Sequence, residues 1–569
     1  MSAQTRRNLI ALLAALPLLA YLVYPVLALL IQGLTGPILS HRAEALGWDP
    51  ARQPFAAGVL AAWRDPQVER ATWGTLALAF WTVVLGGLWG TGLALLWHRR
   101  DFFGRGGFAL CGYAPLLMPP LVGTLAFFRL LGRSGSLWQW LPLAGGKPWL
   151  TPFGAVLVLH VYSFGLYSYA FAAAALKNLD ASQEEAAVSL GGTRWRAFLH
   201  GVWPALRGPV FAAGLLTFMG AGASFSGPYI LDTDGHYLTV EILNLQQAGD
   251  RGRTAAVTAW LACLSLAALP AFLALRQDAF PGAGTKGAAR HELPPARKGE
   301  ALVRFALSVL AALILLAPPA IVLLSAVSDR AGWYDGALEI HFSARAFAEL
   351  DARDGAALQR SLLYAAGAAL LTVGLAVLAG LALRRARAWA AWPAETAVML
   401  AVALPGSAVA VALLCAFNGP SWLAGGAALG QSSAILILAY VVRGLPLAVR
   451  PVRAALDGVG AEQEQAARSL GATPARAVRR VLLPLLRPTL LAAGLLCFVL
   501  AAGEYVASEL LWGIDTQPVS VRIREVYRSN FPRAAALSLC LMLLCALAAA
   551  ASAWLQERGA LRRARERTT

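Results

Sequence analysis

Two glutamates stand out in this chain because each interrupts a long apolar run, Glu504 and Glu509. An ionisable side chain inside a membrane-length segment is costly, and such residues commonly line the path of a polar solute. Carboxylates would suit a cation by charge complementarity. The structural alternative is that Glu509 lies in water at a helix end and that Glu504 caps a kink near Gly503. Two arginines near span ends, Arg129 and Arg443, are expected to extend to the membrane interface.

Residue patterns typical of catalysis are missing from the sequence. Residues 145–147 are Gly-Gly-Lys, but Pro148 follows where a phosphate-binding loop needs Ser or Thr. His291 and Glu292 lack the second histidine of a zinc-protease motif, and no Ser/His/Asp combination has sequence support. The six cysteines lie in apolar runs without a Cys-x-x-Cys pair, which favours packing roles over disulfides. We therefore expect no catalytic residue and no fixed metal site.

The composition indicates an integral membrane protein. Hydrophobic residues make up 58% of the 569 residues and charged residues 14%, whereas soluble domains are about 45–50% apolar and about 25% charged. Many apolar runs approach the roughly 20 residues that cross a bilayer as a helix. The sequence predicts an all-α membrane protein with about twelve transmembrane helices, near 8–31, 71–97, 107–131, 150–176, 205–231, 254–276, 302–327, 358–383, 391–417, 430–450, 485–512 and 534–556.

Basic residues cluster between the apolar runs and predict the orientation of the chain. Lys and Arg concentrate in the cytoplasmic loops of membrane proteins. These clusters fall on one side of the membrane for the predicted spans, so we expect both termini in the cytoplasm. The apolar run after Arg6 and Arg7 is too long for a signal peptide, and we expect it to remain as the first helix. The clusters include Arg99, Arg100 and Arg105; Arg194, Arg196 and Arg207; Arg384, Arg385 and Arg387; and Arg476, Arg479 and Arg480.

A polar segment near the middle divides the sequence into two halves. Residues 277–301 are rich in Gly and Pro, which is typical of a flexible linker. We predict a first half over 1–276, a cytoplasmic linker over 277–301 and a second half over 302–569. Each half would hold about six helices.

The two halves share an internal repeat that aligns without a gap. Residues 184–193 read EEAAVSLGGT and residues 464–473 read EQAARSLGAT, at a constant offset of 280 residues that also pairs Pro204 with Pro484. Self-similarity at a fixed spacing indicates a tandem duplication. The same offset pairs the two glutamates with positions in the first half. The predicted solute path is therefore lined by Ser224, Phe225, Tyr229, Glu504, Tyr505 and Glu509.

Both copies of the repeat occupy the loop after the fourth helix of their half, near 180–204 and 460–484. Ser182, with a glutamate three residues on, is a capping-box pattern that starts a short helix. Gly191 and Gly471 can take the left-handed conformation that ends such a helix. Each loop should therefore contain a short helix with a defined end.

A second helix is expected to follow in each loop. Thr193 and Thr473 are good N-caps for it, and Pro474 suits its first position. The small residues of the repeat would form a compact face that enters a groove on a partner. Two alternatives are a well-capped connector and a DNA-binding helix-turn-helix, but few free basic residues and the adjoining membrane spans disfavour nucleic acid.

The spacing Glu-Ala-Ala, three residues, Gly, twelve residues, Pro resembles the cytoplasmic loop of permeases of bacterial ATP-binding-cassette (ABC) importers. In that family the loop is a coupling helix that docks into a cleft on the ATPase subunit. The resemblance implies a fold like that of a type I ABC importer. It assigns coupling to Glu184, Glu185, Ala186, Ala187, Gly191 and Pro204, and to Glu464, Gln465, Ala466, Ala467, Gly471 and Pro484.

The same resemblance implies the partners. ATP and Mg would bind to separate ATPase subunits, two of them for the two loops, and this chain would bind no cofactor. A periplasmic solute-binding protein would deliver the solute to a multi-pass protein of the bacterial inner membrane. The chain would then move the solute to the cytoplasm by alternating access.

The fused two-half arrangement looks like that of permeases for ferric iron and thiamine. Segments 119–135 and 224–229 resemble the iron branch, and ferric iron favours oxygen ligands. Polyamine and phosphonate permeases are further alternatives. A different class is a secondary transporter driven by an ion gradient, which also carries repeats. A membrane receptor or scaffold is a third class, although it would not need two equivalent docking loops.

Overall fold

The computed structural model of the chain is predominantly helical over the residues that it describes. Two isolated bridges, Asp101 with Pro295 and Ser328 with Phe342, are the only extended pairings among them. The prediction of an all-α fold is therefore confirmed. The described residues are 3–35, 62–132, 135–140, 149–177, 193–279, 293, 295–328, 341–384, 386–459 and 461–566.

The helices follow one another with short connections in the described ranges. Up to the end of the predicted linker they are α1 (Ala3–Leu18), α2 (Tyr24–Thr35), α3 (Pro66–Trp97), α4 (Arg105–Cys111), α5 (Pro120–Leu131), α6 (Ser136–Trp140), α7 (Pro152–Lys177), α8 (Arg194–Ala197), α9 (Trp203–Gly222), α10 (Ser226–Leu231), α11 (Leu238–Gln247) and α12 (Arg251–Ala279). From Lys298 onwards they are α13 (Lys298–Ala326), α14 (Arg345–Ala348), α15 (Ala352–Leu383), α16 (Ala388–Ala403), α17 (Gly406–Phe417), α18 (Ser433–Gly458), α19 (Ala461–Ser469), α20 (Pro474–Ala477), α21 (Leu483–Ala502), α22 (Val506–Leu511), α23 (Val519–Val526) and α24 (Phe531–Glu566). Single 3₁₀ turns cover Ala114–Leu117 and Trp422–Ala424.

The chain divides into two compact units that differ from the two sequence halves. The first-repeat unit comprises Ala62–Asn244 and Trp260–Ala346, and the second-repeat unit comprises Met1–Ala61, Leu245–Ala259 and Phe347–Thr569. Helices α1 and α2 therefore belong to the second-repeat unit, and α13 belongs to the first-repeat unit. The halves over 1–276 and 302–569 remain a prediction about sequence homology. Most of the predicted linker lies outside the described residues, but both of its ends are helical, in α12 and α13.

Two long helices begin with a capping aspartate. Asp65 accepts a hydrogen bond from the Gln67 N–H at 2.9 Å, and Pro66 occupies the first position of α3. Asp351 accepts from the Asp354 N–H at 2.9 Å, and the Asp354 carboxyl accepts from the Asp351 N–H at 3.1 Å. These contacts satisfy N–H groups that have no partner within the helix. The first turns of α3 and α15 are thereby fixed by local sequence.

Nine helices of the described chain are long and apolar enough to cross a bilayer, fewer than the twelve predicted. The spans predicted near 107–131 and 391–417 are each broken, into α4 and α5 and into α16 and α17. The breaks fall at Pro119-Pro120 and at Pro405. Proline lacks an N–H and disfavours helical geometry in the residue before it, which accounts for both breaks. The helix predicted near 254–276 is present as α12.

The spans predicted near 205–231 and 485–512 are also broken, and identically. Helix α9 ends at Gly222 and α10 begins at Ser226, while α21 ends at Ala502 and α22 begins at Val506. The bounds differ by the same 280 residues as the sequence repeat. The duplication is therefore preserved in the structure down to the position of this break.

Three π-helical segments interrupt the helices of the described chain. They are Leu19–Val23, Phe198–Val202 and Val478–Leu482. Each ends two residues before a proline, namely Pro25, Pro204 or Pro484. A proline ring clashes with the carbonyl four residues earlier and cannot donate to it. A widened turn relieves that clash, so the π geometry follows from the proline positions.

Candidate coupling segment and solute pathway

The second copy of the repeat forms the short helix that the sequence predicts. Helix α19 ends at a left-handed Gly471, with φ of 83°. The Gly471 N–H donates to the Arg468 carbonyl at 3.0 Å, and the Ala472 N–H donates to the Ala467 carbonyl at 3.0 Å. This pair of hydrogen bonds is a Schellman motif, in which glycine avoids the clash that a Cβ would cause. The predicted conformation of Gly471 is confirmed.

The next helix begins in the same way in both copies. Thr193 Oγ1 accepts from the Arg196 N–H and Thr473 Oγ1 accepts from the Arg476 N–H, both at 3.3 Å. Pro474 is the first residue of α20, as predicted. The N-cap prediction is therefore confirmed for both threonines. A π segment and then α9 or α21 follow, so the loop joins the broken membrane helix directly.

The candidate coupling segment of the second copy, near 460–484, is largely exposed where the structure describes its side chains. Gln465 and Ala466 are exposed, Ala467 is half-buried, and the Leu470 side chain is 89% exposed at the end of α19. Pro204 is exposed and Pro484 is half-buried. Glu184, Glu185, Ala186, Ala187 and Gly191 lie outside the described residues, as do the side chain of Glu464 and the Ser182 capping box. Their coupling roles remain predictions.

Two arginines link helices close to the start of this segment. The Arg384 guanidinium, at the end of α15, donates to the carbonyl of Val459, two residues before α19. Arg453, in the last turns of α18, pairs with Glu395 of α16 at 2.5 Å. From the sequence, Arg384 is recognised only as a member of a basic cluster, and its contact with Val459 is not predicted. Its contact depends on the packing of α15 against α18, which no local pattern reveals.

In the first-repeat unit, the break between α9 and α10 is held by neutral hydrogen bonds. The Ser224 carbonyl accepts from Thr239 Oγ1 at 2.7 Å. The Ser224 hydroxyl lies 2.9 Å from Nε2 of the buried His160. Phe225 is buried and stacks on Tyr229, with 5.1 Å between ring centroids. The three predicted pathway residues of this half therefore lie together at the break.

In the second-repeat unit, the same break carries a carboxylate. The Glu504 carbonyl accepts from Ser520 Oγ at 2.9 Å, matching the contact of Thr239. Glu504 Oε1 accepts from the Ala507 N–H at 3.1 Å. Glu504 thus caps the short helix α22 at the kink, as one sequence alternative proposed. Tyr505 is buried beside it.

Each glutamate at this break is paired with an arginine. Glu504 Oε2 lies 2.7 Å from Nε of Arg443 on α18. Glu509 accepts from Arg524 of α23 through both oxygens, at 2.8 and 3.3 Å. The Glu509 side chain is 2% exposed, so the alternative that places it in water is wrong. Because both carboxylates are compensated, they do not support the argument that this region attracts a bare cation.

The structure places Arg129 and Arg443, which the sequence predicts to extend to the membrane interface, in contact with other parts of the protein. Arg129 is buried, with 8% of the residue exposed. Arg443 reaches Glu504 instead of the interface, and it can do so because position 406 is glycine. An ideal Cβ on Gly406 would lie 2.2 Å from Nη1 of Arg443. The pairing joins residues 61 positions apart, and therefore only the packing of α17, α18 and α21 reveals it.

A cavity of ≈ 310 Å³ opens beside this pair within the second-repeat unit. Its lining includes Tyr440, Arg443, Gly444, Arg450, Leu500 and Glu504. Tyr440 is buried, and its hydroxyl lies 2.7 Å from Ser508 Oγ of α22. Two arginines and one glutamate give the lining a formal charge of plus one.

A second group of charges connects α15, α23 and α24 in the same unit. The buried Asp354 carboxylate contacts Arg522 at 2.8 Å and Arg533 at 2.6 Å. Asp351 also contacts both arginines, at 3.3 and 2.5 Å. Burial raises the pKa of Asp351, but the Asp354 N–H and the guanidiniums of Arg533 and Arg522 lower it more. The pKa of Asp351 therefore lies below its ordinary value.

The apolar spans, the doubled break and the repeated loop sequence agree with a membrane protein built from two copies of one domain. Residues 83–278 and 372–559 match the family described as binding-protein-dependent transport system inner membrane component. Together these matches cover more than half of the chain, which therefore belongs to this family, with the domain present twice. It is a multi-pass protein of the inner membrane.

Named relatives agree with this family. The chain is 28% identical over 492 residues to a probable ABC transporter permease protein of Sinorhizobium fredii, covering 84% of this chain and 85% of the relative. It is 26% identical over 440 residues to the ferric transport system permease protein of Actinobacillus pleuropneumoniae, covering 75% and 61%. It is 28% identical over 222 residues to the thiamine transport system permease protein of Salmonella typhimurium, covering 36% and 40%.

Proposed function

We propose that this chain is the permease subunit of an importer powered by ATP hydrolysis on two separate ABC ATPase subunits. The observation that carries the proposal is the exposed helix α19, closed by Gly471 and continued through a π segment into the broken helix α21. The first copy has the same cap and the same continuation. Two equivalent docking segments suit two copies of an ATPase. ATP and Mg belong to those partners, and this chain binds no cofactor.

Movement of a coupling segment would pass to the break along an almost continuous helical path. Only the short helix α20 and the π segment Val478–Leu482 separate Gly471 from α21, which leads to Glu504. Helices transmit displacement better than loops because their backbone hydrogen bonds are satisfied internally. The displacement would tilt α21 and open the path alternately to each side. A periplasmic solute-binding protein would supply the solute, and both chain termini would face the cytoplasm.

We propose ferric iron as the solute, on the basis of the ferric relative. The paired state of Glu504 and Glu509 favours iron that arrives with its own anionic ligands over a bare cation. Thiamine, polyamines and phosphonates remain the alternatives. A secondary transporter driven by an ion gradient would need an ionisable group that can release its partner, and Glu504 is the candidate for it.

The experiment measures ATPase activity of the purified complex in lipid, with the ATPase partner co-expressed. Gly471→Val places a β-branched residue at positive φ, which costs about 1–3 kcal/mol and unwinds the end of α19. Gly425→Val is a matched control, because Gly425 also has positive φ and also has open space around its Cβ position. Binding protein loaded with ferric iron, thiamine or spermidine is added in turn.

We expect one loaded binding protein to stimulate hydrolysis, and Gly471→Val but not Gly425→Val to remove that stimulation. Failure of an ATPase to co-purify, or unchanged stimulation in Gly471→Val, would favour the ion-driven transporter instead.

A further inference from the structure

The cavity beside Glu504 has a chemical character that the bare-cation hypothesis does not explain. Its charged lining consists of Arg443, Arg450 and Glu504, so positive charge is in excess. Glu504 is committed twice, to Arg443 through Oε2 and to the Ala507 N–H through Oε1. A cation entering the cavity would therefore meet one ion pair, of Arg443 with Glu504, and the further guanidinium of Arg450, which donates to Met399 Sδ at 3.4 Å. Coulomb repulsion disfavours that arrangement.

Arg443 has donors to spare. A guanidinium carries five N–H groups in a planar fork, and Glu504 is bound at Nε. Within the described part of the chain, neither terminal nitrogen of Arg443 has a hydrogen-bond partner, and 37% of the side chain is exposed. A planar fork of this kind matches the two oxygens of a carboxylate or a phosphate group.

The equivalent region of the first-repeat unit lacks this chemistry. At the offset of 280, Arg443 corresponds to Ser163, Arg450 to Ala170 and Glu504 to Ser224. Position 444 is glycine in the cavity lining, whereas position 164 is phenylalanine. The Phe164 ring packs on Gly220, where an ideal Cβ would lie 2.6 Å from the ring. The charged lining is therefore found in the second copy and not at the equivalent positions of the first, on a shared backbone.

We propose that the cavity of the second-repeat unit binds an anionic oxygen group through Arg443 and Arg450, with Glu504 as a competing internal ligand of Arg443. The group is a carboxylate or a phosphate-type oxyanion, carried either by a free solute or by the anionic ligands of a chelated metal. That the bound group belongs to the transported solute rests on the proposed function. The internal carboxylate gives the empty cavity a way to satisfy Arg443 without a solute.

The test measures binding to the purified full chain in lipid nanodiscs by calorimetry. The probes are citrate, inorganic phosphate and ferric citrate as anions, with spermidine as a cation. Citrate against ferric citrate separates a free anion from an anionic chelate. The variants are Arg443→Gln and Glu504→Gln, and Arg453→Gln is the control, because Arg453 is an ion-paired arginine of the same helix outside the cavity lining.

We expect at least one anion to bind. Arg443→Gln should weaken that binding about tenfold or more, while Glu504→Gln should tighten it by a similar factor, because it removes the competing charge. Arg453→Gln should leave it unchanged. A merely structural role of the pair would make both cavity variants change binding in the same direction. That result, binding of spermidine with no anion, or absence of all binding would overturn the proposal.

Anion binding in the cavity and coupling to an ATPase can be lost independently of each other. Gly471→Val lies outside the cavity lining and should leave anion binding intact while it removes ATPase stimulation. Stimulation without anion binding would remove only the cavity proposal. Anion binding in a chain that couples to no ATPase would remove only the importer mechanism.

Discussion

The break in the first-repeat unit and the break in the second-repeat unit share a backbone but not a chemistry. In both, a hydroxyl from the following helix donates to the carbonyl at the kink, Thr239 to Ser224 and Ser520 to Glu504. The first kink adds the neutral pair of His160 and Ser224, whereas the second adds the ion pair of Arg443 and Glu504. The comparison teaches that each kink is held by a side-chain hydroxyl that donates to the kink carbonyl. Its side chains are then free to specialise.

The largest expected effect concerns the ion pair of Arg524 with the buried Glu509, which lies in the second-repeat unit. Arg524→Leu would leave the Glu509 carboxylate, 2% exposed, without its partner. Breaking a buried pair by removing one member costs about 3–5 kcal/mol, and we expect the lower end because Arg524 is 24% exposed. Reversible unfolding of the purified chain in mixed micelles measures the loss.

Arg528→Leu is the control for this prediction, since Arg528 is exposed and rests on the Tyr527 ring. Its cost should stay below about 1 kcal/mol. Equal losses for the two variants would mean that the pair of Arg524 and Glu509 contributes nothing specific to the second break.

An intermediate effect tests the feature that the two breaks share. Thr239→Val and Ser520→Ala each remove one hydrogen bond to a kink carbonyl, which is worth about 1 kcal/mol. We expect similar losses of unfolding free energy in both units, despite their different charges. Ser538→Ala is the control, because the Ser538 hydroxyl bonds within its own helix, to the Ala534 carbonyl at 2.7 Å.

A loss confined to one of the two kink variants would show that the kinks are held differently. The two units would then differ in how the backbone is fixed at the kink, and not only in the side chains that the kink carries.

The smallest expected effect is the pH dependence of the charge network at Asp351. Its pKa is lowered in the folded chain, so the network stabilises fully above the unfolded value. That contribution is lost as pH falls through the folded pKa, below about pH 4. Because Asp351 is 45% exposed, we expect less than about 1 kcal/mol.

The unfolding midpoint followed from about pH 6 to about pH 3 measures this contribution. Asp351→Asn keeps a good N-cap but removes the charge, and should flatten the low-pH part of the curve. Asp65→Asn in the first-repeat unit is the matched cap variant. A steeper curve in Asp351→Asn than in the parent would contradict the assignment.

The local features of the candidate site were predictable because neighbouring residues decide them. Gly471 must be left-handed to end α19, and the caps at Thr193 and Thr473 need only a hydroxyl at the right spacing. The kink cap by Glu504 was one of two alternatives that the sequence left open. The arginine partner of Glu504 was not predictable, because it comes from another helix.

The sequence by itself determined the membrane class, the duplication and the local caps of the repeated loop, since these depend on composition, periodicity and short-range hydrogen bonds. Only the tertiary structure decided the ion pairing of the two glutamates at the predicted pathway. Whether Glu504 and Glu509 stand alone or meet Arg443 and Arg524 depends on how α18 and α23 pack and rotate around the break. Sequence spacing carries no information about rotation between helices that are far apart in the chain. An intramembrane carboxylate therefore reveals its role only when its neighbours are known.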